Sequence, residues 1–338
     1  MTILNHDFLA LTLANPESIT PFQVSFSSGV GFVEETGILR LEPKQASAVS
    51  LVLSVGIHGN ETGPIELVNQ LVSDILTNKV TLGVRLLVII GNPVAANAAQ
   101  RFCDVNLNRL FNGAWQHYEG FEAKRAQRLE KAVSDFYALS PADSEQIRLH
   151  YDLHTAIRGS VHEKFVIYPF VEKAVYNKQQ LGFLAASGIE AVLLSHQSTT
   201  TFSYYSHAVH AAHAFTVELG KVHPFGKNDV SRFSELEKAL LLLIEKAQFA
   251  QTPLSALRVF SVQDALVKDD DSYQLNIAPN ASNFTQFEAG YQLAHSLKSE
   301  YRIKQNGDAI VFPNTNLPIG QRAGLVVRAI AAEDLSLV

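Results

Sequence analysis

His58 and Glu61 are separated by two residues in the stretch SVGIHGNETGP (54–64), among Gly56, Gly59 and Gly63. An imidazole and a carboxylate this close can share a metal ion, and glycines let the backbone bend tightly around one. Alone, the pattern is a weak signal, because two residues of these types meet at this spacing by chance. Two further stretches supply what it lacks. YDLHTA (151–156) carries His154, and FTVELGK (215–221) carries Glu218. Two imidazoles and one carboxylate are a frequent ligand set for catalytic zinc, which keeps a fourth position open. Such an ion lowers the pKa of water and polarises a carbonyl. A second carboxylate, free of the metal, is then needed to carry the water proton to a leaving amine. Glu218 suits that part.

A further stretch, GNPVAANAAQRFCDVNLNRLF (91–111), contains Arg101 and the pair Asn108-Arg109. A guanidinium fork grips a carboxylate with two parallel hydrogen bonds, and a neighbouring asparagine can donate another. Arginines in an ordinary exposed loop are the alternative reading of the same residues.

These residues need a scaffold that brings them together. Short apolar, β-branched runs at 49–57, 84–91, 147–153, 164–168, 190–195 and 214–219 have the length and composition of buried strands. Between them, 63–78, 119–138 and 171–187 read as helices. In 63–78 the residues Ile65, Leu67, Val68, Leu71, Ile75 and Leu76 form one apolar stripe. The alternation predicts an α/β fold: a mixed, largely parallel sheet sandwiched by helices. In such sheets ligands bind outside the carboxyl ends of strands. His58, His154 and Glu218 all fall at or near such ends. After a helix at about 232–249 the segments shorten into small strands punctuated by KDDDS, PNAS, QNGD and PNTN. The predicted division is a catalytic α/β domain over 1–251 and a small β-rich domain over 252–338.

HGNE, then NP followed by Arg101 and Asn108-Arg109, then DLHT, then VELG, together resemble the zinc carboxypeptidase superfamily. More narrowly they resemble its succinylglutamate desuccinylase and aspartoacylase branch. The likeness runs in order from about 50 to 220, and FPNTNLPIGQRAGLVV (312–327) resembles the C-terminal β domain of the desuccinylases. The resemblance implies one zinc ion held by His58, Glu61 and His154, with Glu218 as general base and acid. It implies that Arg101 steadies the oxyanion and that Asn108 and Arg109 hold the substrate's α-carboxylate. The implied reaction is hydrolysis of a linear amide, N-succinyl-L-glutamate, to succinate and L-glutamate in arginine catabolism. An aspartoacylase-like deacylase of another N-acyl amino acid and a zinc carboxypeptidase are the alternatives. The chain departs from the family at Asn106, where many members carry aspartate that orients a ligand histidine; asparagine can still accept a hydrogen bond but brings no charge. Asp152 is a second candidate for such a supporting role. Arg158, Lys164 and Lys221 follow the motifs closely and are candidates for the substrate's other carboxylates.

Composition narrows the classes. A formal net charge of −6 gives no general attraction to nucleic acid or anionic lipid; the small anionic N-acyl amino acid expected as partner is what the resemblance implies. No run approaches the ~20 apolar residues of a membrane span. A single cysteine, Cys103, rules out a disulfide framework within the chain and fits the reducing cytoplasm. Cys103 reads as a small packed residue. His207, His210 and His213 recur every three residues but enclose no acidic partner, so they read as a histidine-bearing helix or loop. His150 reads as a satisfied histidine. The turn Asp269–Asp271 lacks the spacing of a calcium loop and reads as a solvated turn. The sequence sets no oligomeric state; a homodimer is compatible with it.

Overall fold

The computed structural model describes residues 2–139 and 146–338. Helix α1 (Phe8–Ala14) precedes three strands, β1 (Phe22–Phe26), β2 (Gly29–Glu35) and β3 (Ile38–Pro43). Then come β4 (Val49–Val55), α2 (Thr62–Leu76), β5 (Arg85–Ile90), α3 (Pro93–Asn97), α4 (Phe121–Ala138) and β6 (Ile147–Ala156). They are followed by β7 (Lys164–Tyr168), β8 (Val175–Tyr176), α5 (Lys178–Ala186), β9 (Ala191–Leu194), α6 (Phe202–His210), β10 (His213–Lys221) and α7 (Ser234–Lys246). The C-terminal part is built from strands: β11 (Arg258–Val267), β12 (Gln274–Leu275), β13 (Thr285–Phe287), β14 (Gln292–His295), β15 (Glu300–Arg302), β16 (Asp308–Val311), β17 (Arg322–Ile330) and β18 (Ser336–Leu337).

A 13-stranded mixed sheet runs in the order β1-β2-β3-β5-β4-β6-β10-β7-β9-β11-β17-β16-β13. Its centre, β5-β4-β6-β10, is parallel, and antiparallel strands flank it. The central strands are apolar throughout because both faces are covered: every residue of β4 and β5 is buried. On one face α2, α5 and α7 pack Ile65, Leu71, Ile75, Phe183, Leu240 and Leu243 against the sheet. On the other, α4 and α6 pack Leu129, Val133, Phe136 and Phe202. Burying each such side chain contributes about 1.5–3 kcal/mol, so the layers hold the strand ends firmly in place.

Arg125 of α4 is fully buried and fastens the edge on which the polar residues gather. Its guanidinium donates to the carbonyls of Gly91, Thr36 and Ile90 at 2.7, 2.9 and 3.0 Å and to Glu35 Oε1 at 2.9 Å. Burial pushes its pKa down to about 10, with Glu35 opposing that shift. The charge survives at neutral pH, and the segment leaving β5 is pinned where it begins.

The C-terminal part is a β-rich unit: one small core, around Phe260 and Phe284, also takes in Phe165, Ala191 and Leu193 of β7 and β9, and a second, around Leu293 and Ile310, is its own. Its first strand, β11, pairs in parallel with β9, Arg258 opposite Ala191 through Ser261 opposite Leu194. The hydrogen-bond ladder therefore continues past residue 252. The loop after β6 is tied to the same unit. Val161 N donates to Asn283 O at 3.0 Å, Asn283 N to Gly159 O at 2.8 Å, and Arg158 Nη1 to Pro279 O at 2.8 Å.

Several expectations are corrected. The helix expected over 171–187 starts at Lys178, because Asn177 caps it by accepting from Gln180 N at 2.9 Å; Val175 and Tyr176 form β8 instead. His207 and His210 lie on α6, but Ala211 takes a left-handed conformation that ends the helix, and His213 opens β10. Strands β1 to β3 and helices α1 and α6 are additions to the expected layout.

Candidate metal centre

The chain leaves β4 at Val55, turns at Gly56 with a positive φ of 63°, and reaches His58. Gly59 is needed for a different reason. A Cβ there would lie 2.2 Å from the backbone nitrogen of Ala96 and 2.3 Å from the carbonyl carbon of Ala95, so only glycine lets α3 close on this turn. Gly59 N donates to the carbonyl of Arg101 at 3.1 Å, which draws the Arg101 segment to the same turn.

Glu61 occupies the N-cap position of α2, yet its side chain caps nothing there. Caps usually accept from the helix's first free N–H groups. The Glu61 carboxylate turns inward instead. Oε1 lies 2.9 Å from His58 Nδ1 and 2.7 Å from Arg101 Nη1. Oε2 lies 2.9 Å from His154 Nδ1 and accepts from Thr155 N at 3.2 Å. A helix start also favours negative charge. The ligand atoms of His58, Glu61 and His154 all lie within 4.8 Å of one another, and the three side chains are buried.

The proton positions follow from the outer partners. Ser54 Oγ donates to Asp152 Oδ1 at 2.5 Å, and His154 Nε2 lies 2.8 Å from Asp152 Oδ2. A carboxylate only accepts, so His154 Nε2 carries hydrogen; its Nδ1 also faces a carboxylate, Glu61 Oε2, and is the nitrogen that would give up its proton to a metal. His58 Nε2 lies 2.9 Å from Asn106 Oδ1, which also accepts from Asn108 N at 3.0 Å. With Asn106 accepting, His58 also offers Nδ1. That nitrogen is buried and makes no well-directed hydrogen bond, although Glu61 Oε1 is 2.9 Å away. Two buried imidazole nitrogens turned toward one carboxylate suit a shared cation, to which each would give up any proton it carries. The donor set therefore fits zinc.

Charges here are strongly interdependent. Burial alone raises the Glu61 carboxyl, but the two histidines outweigh it and hold it well below the usual carboxylate range. Burial lowers His58. For His154 burial is opposed by Asp152 and Glu61, which raise it well above the ordinary histidine value. Glu218 is the register partner of His154 across β10 and β6. Burial pushes its pKa up to about 7, with His154 pulling the other way, and its Oε2 is buried without a partner. A carboxylate near neutrality with an unengaged oxygen is equipped to exchange protons.

Asn108 is buried and its Oδ1 accepts from Phe202 N at 3.0 Å, leaving its amide nitrogen without an acceptor among the described residues. Arg109 Nη1 donates to the carbonyl of Asn108 at 2.9 Å, and the residue is open to solvent. Other candidates fall elsewhere. Lys164 pairs with Leu219, so it shares the sheet face opposite to Glu218, and its Nζ lies near Gly188 and Glu235. Arg158 is engaged by backbone carbonyls of the C-terminal unit. The ammonium of exposed Lys221 lies beside Gly159. Cys103 is exposed rather than packed; partial burial and Glu122 push its thiol up, which is the reverse of nucleophile activation. His150 is a fully buried, satisfied histidine between Ser54 Oγ and Ser206 Oγ, each at 2.7 Å. Ser54 was missed from the sequence. A lone hydroxyl at the end of an apolar strand was the available signal.

Residues 47–244 match the family model described as the succinylglutamate desuccinylase/aspartoacylase catalytic domain, and 255–330 match the AstE/AspA barrel-sandwich hybrid domain. A succinylglutamate desuccinylase of Shewanella piezotolerans is 43% identical over 342 residues, covering 98% of this chain and 97% of the relative. One from Pseudoalteromonas atlantica is 44% identical over 325 residues, covering 93% of this chain and 89% of the relative. The crystal structure of the Vibrio parahaemolyticus succinylglutamate desuccinylase superposes with a TM-score of 0.88 at 35% identity, covering 96% of this chain and 95% of that one. The Chromobacterium violaceum enzyme gives 0.86 at 38% identity, with 96% and 98% covered.

Proposed function

Because the chain belongs to the succinylglutamate desuccinylase/aspartoacylase family, we propose that it hydrolyses N-succinyl-L-glutamate to succinate and L-glutamate, as a zinc amidohydrolase of arginine catabolism. The names of its relatives support the substrate. The observation that carries the reaction class is Glu218, with a buried, unengaged carboxylate oxygen, in register beside His154 of the His58–Glu61–His154 cluster.

Held by Nδ1 of His58, Nδ1 of His154 and the Glu61 carboxylate, zinc would lower the pKa of water and polarise the substrate's amide carbonyl. The chain's own residues perform the rest. Asn106 and Asp152 fix the two imidazoles in the tautomer that presents Nδ1. Glu218 removes a proton from the attacking water and delivers it to the departing glutamate nitrogen. Arg101, anchored on Glu61, faces the charge that develops on the carbonyl oxygen. The free amide of Asn108 and the open guanidinium of Arg109 take the α-carboxylate. The exposed thiol of Cys103 is in keeping with a cytoplasmic setting.

The test is amine release by the zinc-loaded protein from N-succinylglutamate, N-acetylaspartate and a dipeptide. Turnover of N-succinylglutamate far above the others is expected. Cleavage of N-acetylaspartate alone would remove the substrate assignment and leave the reaction class. Cleavage of the dipeptide alone would point to a carboxypeptidase.

A further inference from the structure

A line of fully buried polar side chains runs from helix α6 to the candidate centre: Ser206 of α6, then His150, Ser54 and Asp152. Ser54 Oγ lies 2.5 Å from Asp152 Oδ1 and 2.7 Å from His150 Nε2, and His150 Nδ1 lies 2.7 Å from Ser206 Oγ. Strand register builds the line. Ser54 of β4 stands opposite Asp152 of β6, and His150, Asp152 and His154 alternate onto one face of β6. The Phe202 ring meets the His150 ring edge-on, with centroids 4.7 Å apart, and steadies it between the two hydroxyls.

The hydrogens along the line follow one from another. A carboxylate only accepts, so the single hydroxyl hydrogen of Ser54 goes to Asp152. Ser54 Oγ then has only lone pairs to offer His150, which carries its hydrogen on Nε2. Burial keeps the His150 ring neutral at pH 7, so Nδ1 accepts from the Ser206 hydroxyl. Every bond thus points the same way and ends on Asp152 Oδ1. The other oxygen, Oδ2, is left for His154 Nε2 at 2.8 Å. These two are the only hydrogen bonds of the Asp152 carboxylate among the described residues. Burying so many polar groups is costly unless each is paired. All seven residues of β4 are buried, and an alanine at position 54 would avoid that cost. The hydroxyl there answers to Asp152 rather than to packing.

We infer that Ser54, His150 and Ser206 are positioning residues of the zinc centre: their directed hydrogen bonds fix the Asp152 carboxylate so that it presents Oδ2 to His154, and α6 thereby governs how tightly zinc is held. This rests on the zinc site proposed above. Ser206 itself bonds to none of the three candidate ligands among the described residues. The same helix fixes Asn108 through Phe202 N at 3.0 Å, so one element aligns both the metal and a residue assigned to the substrate's α-carboxylate.

The experiment measures zinc affinity by chelator competition on wild type, Ser54→Ala, Ser206→Ala and Ser203→Ala. Ser203 is the control: its buried hydroxyl, also on α6, lies 2.7 Å from Thr216 Oγ1 and has no bond to the line. Ser54→Ala should weaken zinc binding about 10-fold, the lower end of what outer partners of a ligand contribute. Ser206→Ala should weaken it about 3-fold, the low end for one neutral hydrogen bond. Ser203→Ala should leave it unchanged. Ser54→Ala is then repeated in an Asp152→Ala background, where it should cost nothing further because the group it positions is gone. Wild-type affinity in Ser54→Ala or in Ser206→Ala overturns the inference, as does an equal loss in Ser203→Ala or an undiminished loss in the Asp152→Ala background. If wild type itself takes up no zinc, the proposed function fails and the inference with it. Zinc uptake by wild type that Ser54→Ala matches sinks the inference alone.

Discussion

Oδ1 of Asn106 lies 2.9 Å from Nε2 of His58, so this imidazole is oriented by a neutral amide, whereas His154 is oriented by the carboxylate of Asp152. The two histidines of the candidate centre thus have unequal basicity. Asn106→Asp should make His58 a stronger donor and tighten zinc about 10-fold, the lower end of what such outer partners contribute. Competition with a chromogenic chelator measures this, and unchanged or weaker zinc binding would refute it.

Glu218→Gln should lower kcat at least ~10²-fold, the usual scale for a positioned acid–base group, while zinc content stays at one per chain. The glutamine keeps the shape but cannot carry the proton. Hydrolysis at the wild-type rate would end the assigned role.

Arg101→Ala should cost ~10²–10³ in kcat if its guanidinium faces the oxyanion. Because Arg101 also touches Glu61 at 2.7 Å, zinc occupancy has to be measured on the same sample. A drop explained wholly by lost zinc would make Arg101 a support for Glu61 only.

Gly59→Ala should destabilise the protein by about 1–3 kcal/mol, the range for forced overpacking, and should displace α3 with the Arg101 segment behind it. Denaturant unfolding and a fall in kcat/KM check the two consequences. An alanine variant with wild-type stability would contradict the contact of 2.2 Å to Ala96 N.

His150 supplies a pH dependence. Burial depresses its pKa from 6.5 to about 4, against the pull of Asp152. The unfolded chain therefore takes up this proton first as pH falls. The stability contributed by neutral His150 is complete above pH 6.5 and is lost between there and about 4; the whole window is worth about 3 kcal/mol. Other groups titrate in the same range, so the readout is the difference between wild type and His150→Asn. Relative to the variant, wild type should weaken progressively on acidification through this window. Parallel stability curves would show that His150 contributes nothing to it.

Much of the fold could be read because its central strands are apolar runs buried on both faces, and the long helices carry clear stripes. β1 to β3 escaped because half-buried strands such as FQVSF alternate over too few residues to stand out. α6 escaped because FSYYSHAVH mixes hydroxyls and histidines, and its start depends on the cap at Thr201. In the site, residues with motif spacing were visible: His58 and Glu61 lie on one turn, and His154 and Glu218 end strands. Ser54 was not. Its placement against Asp152 and His150 depends on pairing between strands distant in sequence, which no local pattern encodes. Lys164 was misjudged because strand parity decides its face, and the pairing with Leu219 sets that parity.

The ladder between β9 and β11 bears on protein engineering. The C-terminal unit is not a cassette to be exchanged between relatives at residue 252, because its first strand covers the edge of the catalytic sheet. Cutting there would bare Ala191–Leu194, four consecutive buried apolar residues with unpaired backbone groups. Such an edge is a template for aggregation. Transplants of specificity are better made at the level of single side chains than by swapping the whole unit.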